Sequence, residues 1–458
     1  MEPGRAHANN VQRVNFRHGG QNMATARHRI RREDDPESFW AALREEFSLT
    51  PDYLHFAQFF MVSHPRQVRA AIEHYRRALD ENPFLAVAHG MLSPPENNLA
   101  QRACAAAAAY LGGHEREVAL VPNTTTGLGL VYHGLPLGPG DEVLTTTHEH
   151  FTHHETIRLA TRRVGACWRR FELVADTRRP DLDDMLRRLR AAIRPETRVL
   201  GLTWVYSNCG LRLPLRAVTA LVAEFNRRRV PNRRIRVVVD GTHGFGALDE
   251  SVAGTGCDYF VSSAHKWLFG PRGTGIVWAP EARWAELQPV IATYSSWDLW
   301  RAWVAGEQPA MPTAASHVSP GGFLAYEHQW ALPAAFGFHQ TIGRARIAER
   351  IHQLNGYLMD LLAEIPGVRL HTPRDPAWSA GIVCFDVAGM TAQEVVQGLL
   401  ERRVIASVSP YAEPCARLSA GIMNSLAEVR AGADALRRAA MRRGAACHPP
   451  RRPRGAGA

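Results

Sequence analysis

The chain has 458 residues and is 45% hydrophobic, which is enough to bury a large core and to form two or three domains. Its net charge of +10 comes from the two ends, because residues 1–32 hold seven Arg and one Glu and residues 442–458 hold five Arg and no acid. The near-neutral body argues against nucleic-acid binding by the folded part, and we expect both basic tails, 1–36 and 442–458, to be disordered.

Membrane and secreted classes are also disfavoured. No stretch approaches 18 consecutive apolar residues, so no membrane span is predicted. The pair Arg31-Arg32 is followed by acidic residues and not by an apolar run, which argues against a signal peptide. The seven cysteines are scattered and form no C-x-x-C, as is typical of reduced thiols in a cytoplasmic protein.

The first folded segment is predicted to be mostly helical. Apolar periodicity, the breaker Asn82-Pro83 and the alanine run after Cys104 mark its elements. They are a helix at 37–47, an extended stretch at 52–56, and helices at 68–79 and 97–111.

From residue 111 onward, strands alternate with helices. The predicted strands lie at 118–121, 142–146, 167–171, 198–204, 236–240, 259–262 and 275–279. The helices between them lie at 126–132, 154–163, 182–193 and 215–228. This alternation predicts an α/β domain over residues 111–330, with a mostly parallel, seven-stranded sheet between helices.

The remaining chain forms a connector and a second unit. Residues 280–330 are rich in Trp, Pro and Gly and are predicted to be mostly loops. A long helix, with room for a kink, is predicted at 331–364. Strands at 368–371, 381–387, 405–407 and 417–419 and helices at 392–401 and 427–438 follow. Residues 331–441 are therefore predicted to form a smaller C-terminal α/β domain.

One residue type is almost absent from this chain. Lys266 is the only lysine, and the other 53 of the 54 basic side chains are arginine. An amine can lose its proton and attack a carbonyl, whereas a guanidinium stays protonated and unreactive. A chance surface lysine is the alternative, but the surroundings favour a chemical role for Lys266.

Several polar residues follow predicted strands, at the edge where parallel sheets bind ligands. Asp240 closes an apolar strand and precedes Lys266 by 26 residues, within Ser262-Ser-Ala-His-Lys266. Asn123-Thr-Thr-Thr126 lies where a strand meets a helix N-terminus, which favours phosphate binding. A histidine cluster at 148–154 lacks a second metal-ligand group at a recognisable spacing, so no metal site is predicted.

Because of these residues and their spacing, the chain resembles the class V branch of the fold-type I pyridoxal-phosphate enzymes, over roughly residues 45–440. Its isopenicillin-N-epimerase-like and cysteine-desulfurase-like members are the most similar. The motifs that carry the resemblance are Asp240-Gly-Thr-His243, Ser262-Ser-Ala-His-Lys266 with Gly270-Pro-Arg-Gly273, Asn123-Thr-Thr-Thr126, Glu149-His150 and Ala416-Arg-Leu-Ser419 with Asn424.

The resemblance implies pyridoxal 5′-phosphate as cofactor and a role for each matching residue. Lys266 would bind the cofactor covalently and move the α-proton, Asp240 would pair with the pyridine nitrogen, and His150 would stack on the ring. Arg417 would bind the α-carboxylate of the substrate with a bidentate guanidinium. The further cofactor-binding residues implied are Thr124, Thr125, Ser207, His243, Ser263 and His265.

The chain departs from the family pattern at two positions, one in the cofactor site and one that bears on desulfurase activity. Ser207 stands where many members have an Asn that contacts ring oxygen O3′. Cysteine desulfurases carry a nucleophilic Cys on a loop about a dozen residues before the carboxylate-binding Arg. Within 404–416 the only cysteine is Cys415, two residues before Arg417 and on a predicted strand, so desulfurase activity is not expected.

We therefore predict a cytoplasmic, homodimeric enzyme that acts on an α-amino acid or an amino-acid-like unit. Aminotransfer is the first expectation, followed by β-elimination at a C–S bond and by epimerisation, and all three begin with loss of the Cα proton. The resemblance also implies that residues 37–110 join the small domain and form a dimer arm. The alternatives are a non-catalytic regulator that binds the cofactor and, more distantly, a metal-dependent hydrolase.

Overall fold

The computed structural model describes residues 36–91, 98–294 and 296–446, with the backbone alone at 442–446. Its strands are β1 Leu54–His55, β2 Val118–Val121, β3 Glu142–Thr146, β4 Cys167–Phe171, β5 Thr197–Thr203, β6 Arg236–Asp240, β7 Tyr259–Ser263, β8 Gly275–Trp278, β9 Val368–Leu370, β10 Val383–Val387, β11 Val404–Ile405, β12 Ser407–Val408 and β13 Ala416–Leu418.

Helices separate most of these strands along the chain. They are α1 Pro36–Arg44, α2 Arg66–Glu81, α3 Pro83–Met91, α4 Leu99–Leu111, α5 Thr124–Gly134, α6 Phe151–Val164, α7 Leu182–Ala192, α8 Leu215–Asn226, α9 Glu281–Trp284, α10 Trp297–Val304, α11 Ala315–Val318, α12 Tyr326–Trp330, α13 Leu332–Ile342, α14 Arg344–Ala363, α15 Ala392–Leu400 and α16 Leu426–Ala446. Among the described residues, none of the helices has the length and apolar character needed to cross a membrane.

The large sheet contains seven strands in the order β2-β8-β7-β6-β5-β3-β4. All of them run in one direction except β8, which pairs antiparallel with both β2 and β7. Val237, Val238 and Val239 of β6 are all buried, because helices cover both faces of the sheet. The predicted seven-stranded, mostly parallel sheet is confirmed.

Helix α5 approaches this sheet closely enough to place its N-terminus at the sheet edge. A Cβ atom added at Gly127 would lie 2.5 Å from the side chain of Val261 on β7, so the glycine is needed for this packing. The helix begins after Asn123, whose side chain accepts a hydrogen bond from the Thr126 N–H at 2.9 Å. The close approach brings the first turn of α5 next to the end of β7.

The second sheet is smaller and antiparallel, in the order β12-β13-β10-β9. Helices α14, α15 and α16 pack on it through a buried core that includes Leu354, Leu399 and Leu436. Strand β1 pairs in parallel with β11, which ties the segment around residues 54–55 to this C-terminal unit. The division of the chain into domains stays a prediction.

Some element predictions were incomplete or wrong in detail. Asn82-Pro83 ends α2 as predicted, since Asn82 caps that helix. Pro83 then begins α3, which was not predicted; a proline at the first helical position lacks only an unneeded N–H. The long helix predicted at 331–364 is two helices, since Gly343 adopts φ 98° between α13 and α14. The two halves pack differently: Leu332 lies in the core around the large sheet and Leu354 in the smaller core.

Two segments that were predicted to be loop or disordered contain helices. The connector 280–330 contains the short helices α9 to α12. The disordered C-terminal tail was predicted to begin at residue 442, which is too early. Helix α16 continues through Ala446, in a segment rich in the helix formers Ala and Arg. The tail predictions for 1–35 and 447–458 lie outside the described residues.

Candidate active site

The carboxyl ends of four parallel strands meet at one edge of the large sheet, in the order β7, β6, β5, β3. Lys266 follows β7, Asp240 ends β6, Ser207 follows β5, and His150 follows β3. The strand order therefore places Lys266 on one side of Asp240 and places Ser207 and His150 on the other. Ligands of parallel α/β sheets bind at this edge.

The loop that carries Lys266 is held in one conformation by its backbone. The Lys266 carbonyl accepts a hydrogen bond from the Phe269 N–H at 2.9 Å, and the Gly270 N–H donates to the Ala264 carbonyl at 2.8 Å. Phe269 has φ 58°, which is uncommon for a residue with a side chain. Such a tight turn fixes the direction from which the lysine enters the site.

The environment of Lys266 favours the unprotonated amine. Burial lowers the pKa of Lys266 to about 8 from an ordinary 10.5; the Asp240 carboxylate opposes that shift, and the Arg417 guanidinium adds to it. Near neutral pH a useful fraction of the amine is therefore free to act as a nucleophile or base. An arginine at this position would offer neither property.

Asp240 and His243 share one tight turn at the end of β6. Asp240 is buried, and its Oδ1 accepts a hydrogen bond from the Thr242 N–H at 2.9 Å. His243 is also buried, and its Nδ1 has no hydrogen-bond partner within the described residues. Burial and the nearby charges of Lys266 and Arg417 hold the pKa of His243 well below its usual value, so the ring is neutral.

Three hydroxyl groups converge at the N-terminus of α5. The Thr124 hydroxyl lies 2.7 Å from the Thr242 hydroxyl and 2.8 Å from that of Ser263. The Thr124 N–H donates to the Ser263 hydroxyl at 2.8 Å. Thr125, in the same turn, is exposed. A helix N-terminus that presents N–H and O–H donors is a favourable site for phosphate.

His265 lies next to this cluster in sequence and carries no charge at neutral pH. Burial, followed by the charges of Lys266 and Arg272, lowers its pKa to about 4. It is half-buried. The predicted phosphate contact of His265 stays a prediction, in which the ring would donate a neutral N–H.

His150 ends the loop after β3 and caps helix α6. Its Nδ1 accepts a hydrogen bond from the Thr152 N–H at 3.3 Å and lies 2.8 Å from the Thr152 hydroxyl. Burial lowers the pKa of His150; Asp240 opposes that shift, and Lys266 and Arg417 add to it. The imidazole is thus near enough to Lys266 and Asp240 to feel both charges, and its predicted stacking on the ring stays a prediction.

A buried network supports the His150 loop from behind. The Glu149 carboxylate accepts a hydrogen bond from the Thr146 hydroxyl at 2.8 Å and pairs with His153 Nδ1 at 3.1 Å. The other nitrogen of His153 lies 2.8 Å from the Tyr132 hydroxyl. This part of the histidine cluster is therefore committed to protein contacts, and the described residues contain no group of three His, Cys, Asp or Glu suited to a metal ion.

Ser207 is buried, and its hydroxyl lies 2.7 Å from the hydroxyl of Tyr411. Its carbonyl accepts a hydrogen bond from Arg417 Nη1 at 3.0 Å. The next residue, Asn208, has a buried Oδ1 with no partner in the described part of the chain. Ser207 thus links the large sheet to the loop before β13, and its predicted cofactor contact stays a prediction.

Arg417 is buried, and none of its hydrogen bonds goes to an acid. Its Nε donates to the Ser407 hydroxyl at 3.1 Å, and its Nη atoms donate to the Ser207 and Val408 carbonyls at 3.0 Å each. The guanidinium lies 4.5 Å from the ring centroid of Phe59. Within the described residues it forms no salt bridge, and burial lowers its pKa. A buried cation without an anion is costly, which favours an anionic ligand here.

Cys415 precedes β13 by one residue and is buried. Its Sγ lies 3.4 Å from the Asn208 carbonyl and 3.4 Å from the Ser409 hydroxyl. Cys415 is therefore the last residue of the β12–β13 loop, and its predicted place on the strand was wrong by one residue. The thiol is held by protein contacts two residues before Arg417, whereas the resemblance places the family's nucleophilic cysteine about a dozen residues before that arginine.

The contributions of Thr242, Phe59 and Tyr411 were not predicted from the sequence. Thr242 stood inside a recognised motif, but only the fold shows that its hydroxyl joins that of Thr124. Phe59 packs on Arg417 from more than 350 positions away in the chain, and no local pattern signals such a contact. Tyr411 lies on the loop before Arg417. That segment was searched for a nucleophilic cysteine, and its tyrosine was not considered.

The arrangement fits pyridoxal phosphate. Lys266 supplies an amine of lowered pKa, Asp240 a buried carboxylate for the pyridine nitrogen, and the α5 N-terminus a set of hydroxyls for the phosphate. The unpartnered Nδ1 of His243 is a buried polar atom that a ligand would satisfy.

Comparison with known proteins agrees with this geometry. The family model described as "Aminotransferase class-V" matches residues 63–433. An isopenicillin N epimerase of Streptomyces clavuligerus is 32% identical over 72% of this chain and 81% of its own length. A cysteine desulfurase of Klebsiella pneumoniae is 29% identical over 63% of this chain and 67% of its own.

A solved structure extends the similarity to three dimensions. It is a lysine mutant of C-DES with glycine covalently linked to the PLP cofactor, and it aligns with a TM-score of 0.76 and 25% identity. The alignment covers 86% of this chain and 98% of that one. A second structure, of the cystine C–S lyase C-DES with cysteine persulfide, aligns with a TM-score of 0.75 and 25% identity over 84% of this chain and 98% of that one.

Proposed function

The chain belongs to the class V aminotransferase family of pyridoxal-phosphate enzymes, and on that premise we propose that it epimerises the α-carbon of an amino acid or of an amino-acid unit in a larger molecule. One observation carries the proposal: along the sheet edge, Lys266 lies on one side of Asp240, and the loops of Ser207 and His150 lie on the other side and bring hydroxyl and imidazole groups to the site. Inversion of a carbon centre needs proton transfer on two sides.

Each residue of the site has a task in this proposal. Arg417 would bind the α-carboxylate with the N–H groups that its three protein contacts leave free. Lys266 would take or return the α-proton, since its lowered pKa lets the amine serve as a base. Pyridoxal phosphate, when bound, withdraws electron density from the α-carbon, and Asp240 would hold the pyridine nitrogen protonated.

The other residues would position and shield the cofactor. The hydroxyls of Thr124, Thr242 and Ser263 would hold the phosphate at the N-terminus of α5, with Thr125 and His265 beside them. His150, which its contacts with Thr152 orient, would cover the ring and exclude water from that side. His243 would donate or accept a hydrogen bond through the nitrogen that has no protein partner.

Similarity favours epimerisation over the other outcomes of α-proton removal. Two isopenicillin N epimerases, from Streptomyces clavuligerus and Amycolatopsis lactamdurans, match over 81% and 82% of their own length, at 32% and 28% identity. C–S elimination is the second candidate, favoured by the fold match to a cystine C–S lyase. Aminotransfer, the first expectation from the sequence, has no named relative among these matches.

One incubation separates the three reactions. The purified protein, loaded with pyridoxal phosphate, is mixed with either enantiomer of alanine, serine, glutamate or cysteine, or with isopenicillin N, in D₂O. Chiral chromatography, assays for 2-oxo acids and sulfide, and the absorbance of the cofactor are then followed. Formation of the opposite stereoisomer with deuterium at Cα supports epimerisation. Sulfide and pyruvate, or a 2-oxo acid with an aminated cofactor, would refute it in favour of elimination or aminotransfer.

A further inference from the structure

We propose that Tyr411 is the second proton carrier of the site and delivers a proton to the α-carbon from the side opposite Lys266. This role rests on the proposed epimerase function. Tyr411 lies on the loop between β12 and β13, six residues before Arg417, and is half-buried against the large sheet. Neither the family match nor the resemblance assigns a task to this residue.

The position of Tyr411 follows from two contacts. Its hydroxyl lies 2.7 Å from that of Ser207, which follows β5, and its ring centroid is 6.1 Å from that of His150, which follows β3. Both partners stand on the side of Asp240 that faces away from Lys266. Along the sheet edge the phenol therefore lies across Asp240 from Lys266, and Ser207 links it to Arg417.

The chemistry of the surroundings suits a proton donor. Burial raises the pKa of Tyr411; the Ser207 hydrogen bond opposes that shift, and so does the Arg417 charge. The phenol is thus fully protonated at neutral pH, and both opposing groups would stabilise the phenolate that forms when the proton leaves. The same Arg417 donates to the Ser207 carbonyl, so substrate binding and the phenol share one anchor.

Other groups on this side of the site make protein contacts or have another task. His150 is oriented by the contacts of its Nδ1 with Thr152, and its ring face is the part proposed to cover the cofactor. The Cys415 thiol contacts the Asn208 carbonyl and the Ser409 hydroxyl. The Ser207 hydroxyl is paired with Tyr411 and has an ordinary alcohol acidity, so it would relay a proton and not supply one.

The step balances without any other reactant. The Cα–H bond on the lysine side breaks and its proton goes to the Lys266 amine. A new Cα–H bond forms on the other side with the proton of the Tyr411 hydroxyl. The resulting ammonium and phenolate return to their starting states by proton exchange with solvent, in the latter case through Ser207. No electron is gained or lost, and the reverse reaction uses the same two groups in exchanged roles.

The test uses the full-length holoenzyme and the Tyr411→Phe variant, which removes one oxygen and keeps the ring. The probe is whichever amino acid of the panel above shows the fastest α-proton exchange, followed by NMR in D₂O and by chiral chromatography. Inversion should fall at least about a hundredfold, as is typical for loss of a general acid. Deuterium exchange with retention, which Lys266 performs alone, should stay within about threefold for the enantiomer whose proton faces the lysine.

Two further measurements separate proton transfer from a merely structural role. Substrate affinity, from titration of the cofactor absorbance, and the pH titration of the same band without substrate should match the parent. Ser207→Ala, which leaves the phenol without its partner, should slow inversion by about tenfold. Tyr357→Phe, on α14 and away from the site, is the matched control and should invert at the parental rate.

The outcomes distinguish this role from the function on which it rests. Inversion by Tyr411→Phe within threefold of the parent would overturn the role of Tyr411 alone. An equal loss of exchange, inversion and affinity would also overturn it, because the tyrosine would then be structural. If the parent protein exchanges the α-proton but inverts no member of the panel, the proposed epimerase function itself fails.

Discussion

Arg417→Lys is the substitution that most directly tests whether the substrate is an α-amino acid. Arg417 is buried and carries five N–H donors, of which three are used by the Ser407 hydroxyl and the Ser207 and Val408 carbonyls. Two N–H groups therefore remain for a carboxylate. Lysine keeps the charge but has a single point of contact, so at least one of the two parallel hydrogen bonds is lost.

The size of the effect follows from the kind of bond removed. A hydrogen bond to a charged group contributes about 1.5–3 kcal/mol. Because about 1.4 kcal/mol corresponds to a tenfold change in affinity, Arg417→Lys should weaken substrate binding by about 10- to 150-fold. KM should rise by a similar factor, with a smaller change in kcat.

The assay is titration of the cofactor absorbance with the amino acid, together with steady-state kinetics of the holoenzyme. Ser407→Ala, which removes only the partner of Arg417 Nε, is the matched control and should shift affinity by less than the lysine variant. Arg369→Lys, at an exposed position of β9, which β10 separates from β13 in the same small sheet, should have no effect. A folded, cofactor-loaded Arg417→Lys protein with unchanged affinity would refute the carboxylate role and leave Arg417 as a residue of the small sheet.

Three other predictions follow from the same geometry. Asp240→Asn should retain the hydrogen bond from the Thr242 N–H, and therefore the fold and the cofactor, while kcat falls at least about a hundredfold because a neutral partner no longer favours the protonated pyridine; near-normal turnover would contradict the assignment. The rate at which the apoprotein reacts with pyridoxal phosphate should rise with pH and level off above about 8, because the unprotonated amine of Lys266 is the attacking form. A rate that keeps rising to pH 10 would show that the pKa of this lysine is not lowered. Cys415→Ala should keep activity within about twofold and should form no persulfide from cysteine, because the thiol is packed against the Asn208 carbonyl; sulfide release that depends on Cys415 would restore desulfurase activity.

The large sheet could be predicted from sequence because its signal is local and repeated. Each strand is an apolar run between turn residues, and Val237-Val-Val-Asp240 is as apolar as a strand covered on both faces must be. The reversal of β8 was not predictable in this way, since strand direction depends on connections in space. The break at Gly343 was suggested only as a kink, because glycine within a helical pattern is tolerated in many helices.

The site was predictable to the extent that its residues lie in short motifs. Lys266, Asp240, Thr124, His150 and Arg417 could each be found from the residues around them. Their supporting contacts join distant segments, as in the pair of Thr124 and Thr242 hydroxyls and the ring of Phe59 against Arg417. Such contacts depend on the relative placement of the two sheets, and no sequence period encodes that placement.

The central claim is that the single lysine of this chain binds the cofactor. Reduction of the purified holoenzyme with borohydride, followed by digestion and mass spectrometry, tests it directly. We expect one pyridoxyl group per chain, on the peptide that contains Lys266, and neither the modification nor the yellow colour in Lys266→Arg. A Lys266→Arg protein that stays coloured and turns over substrate would contradict it.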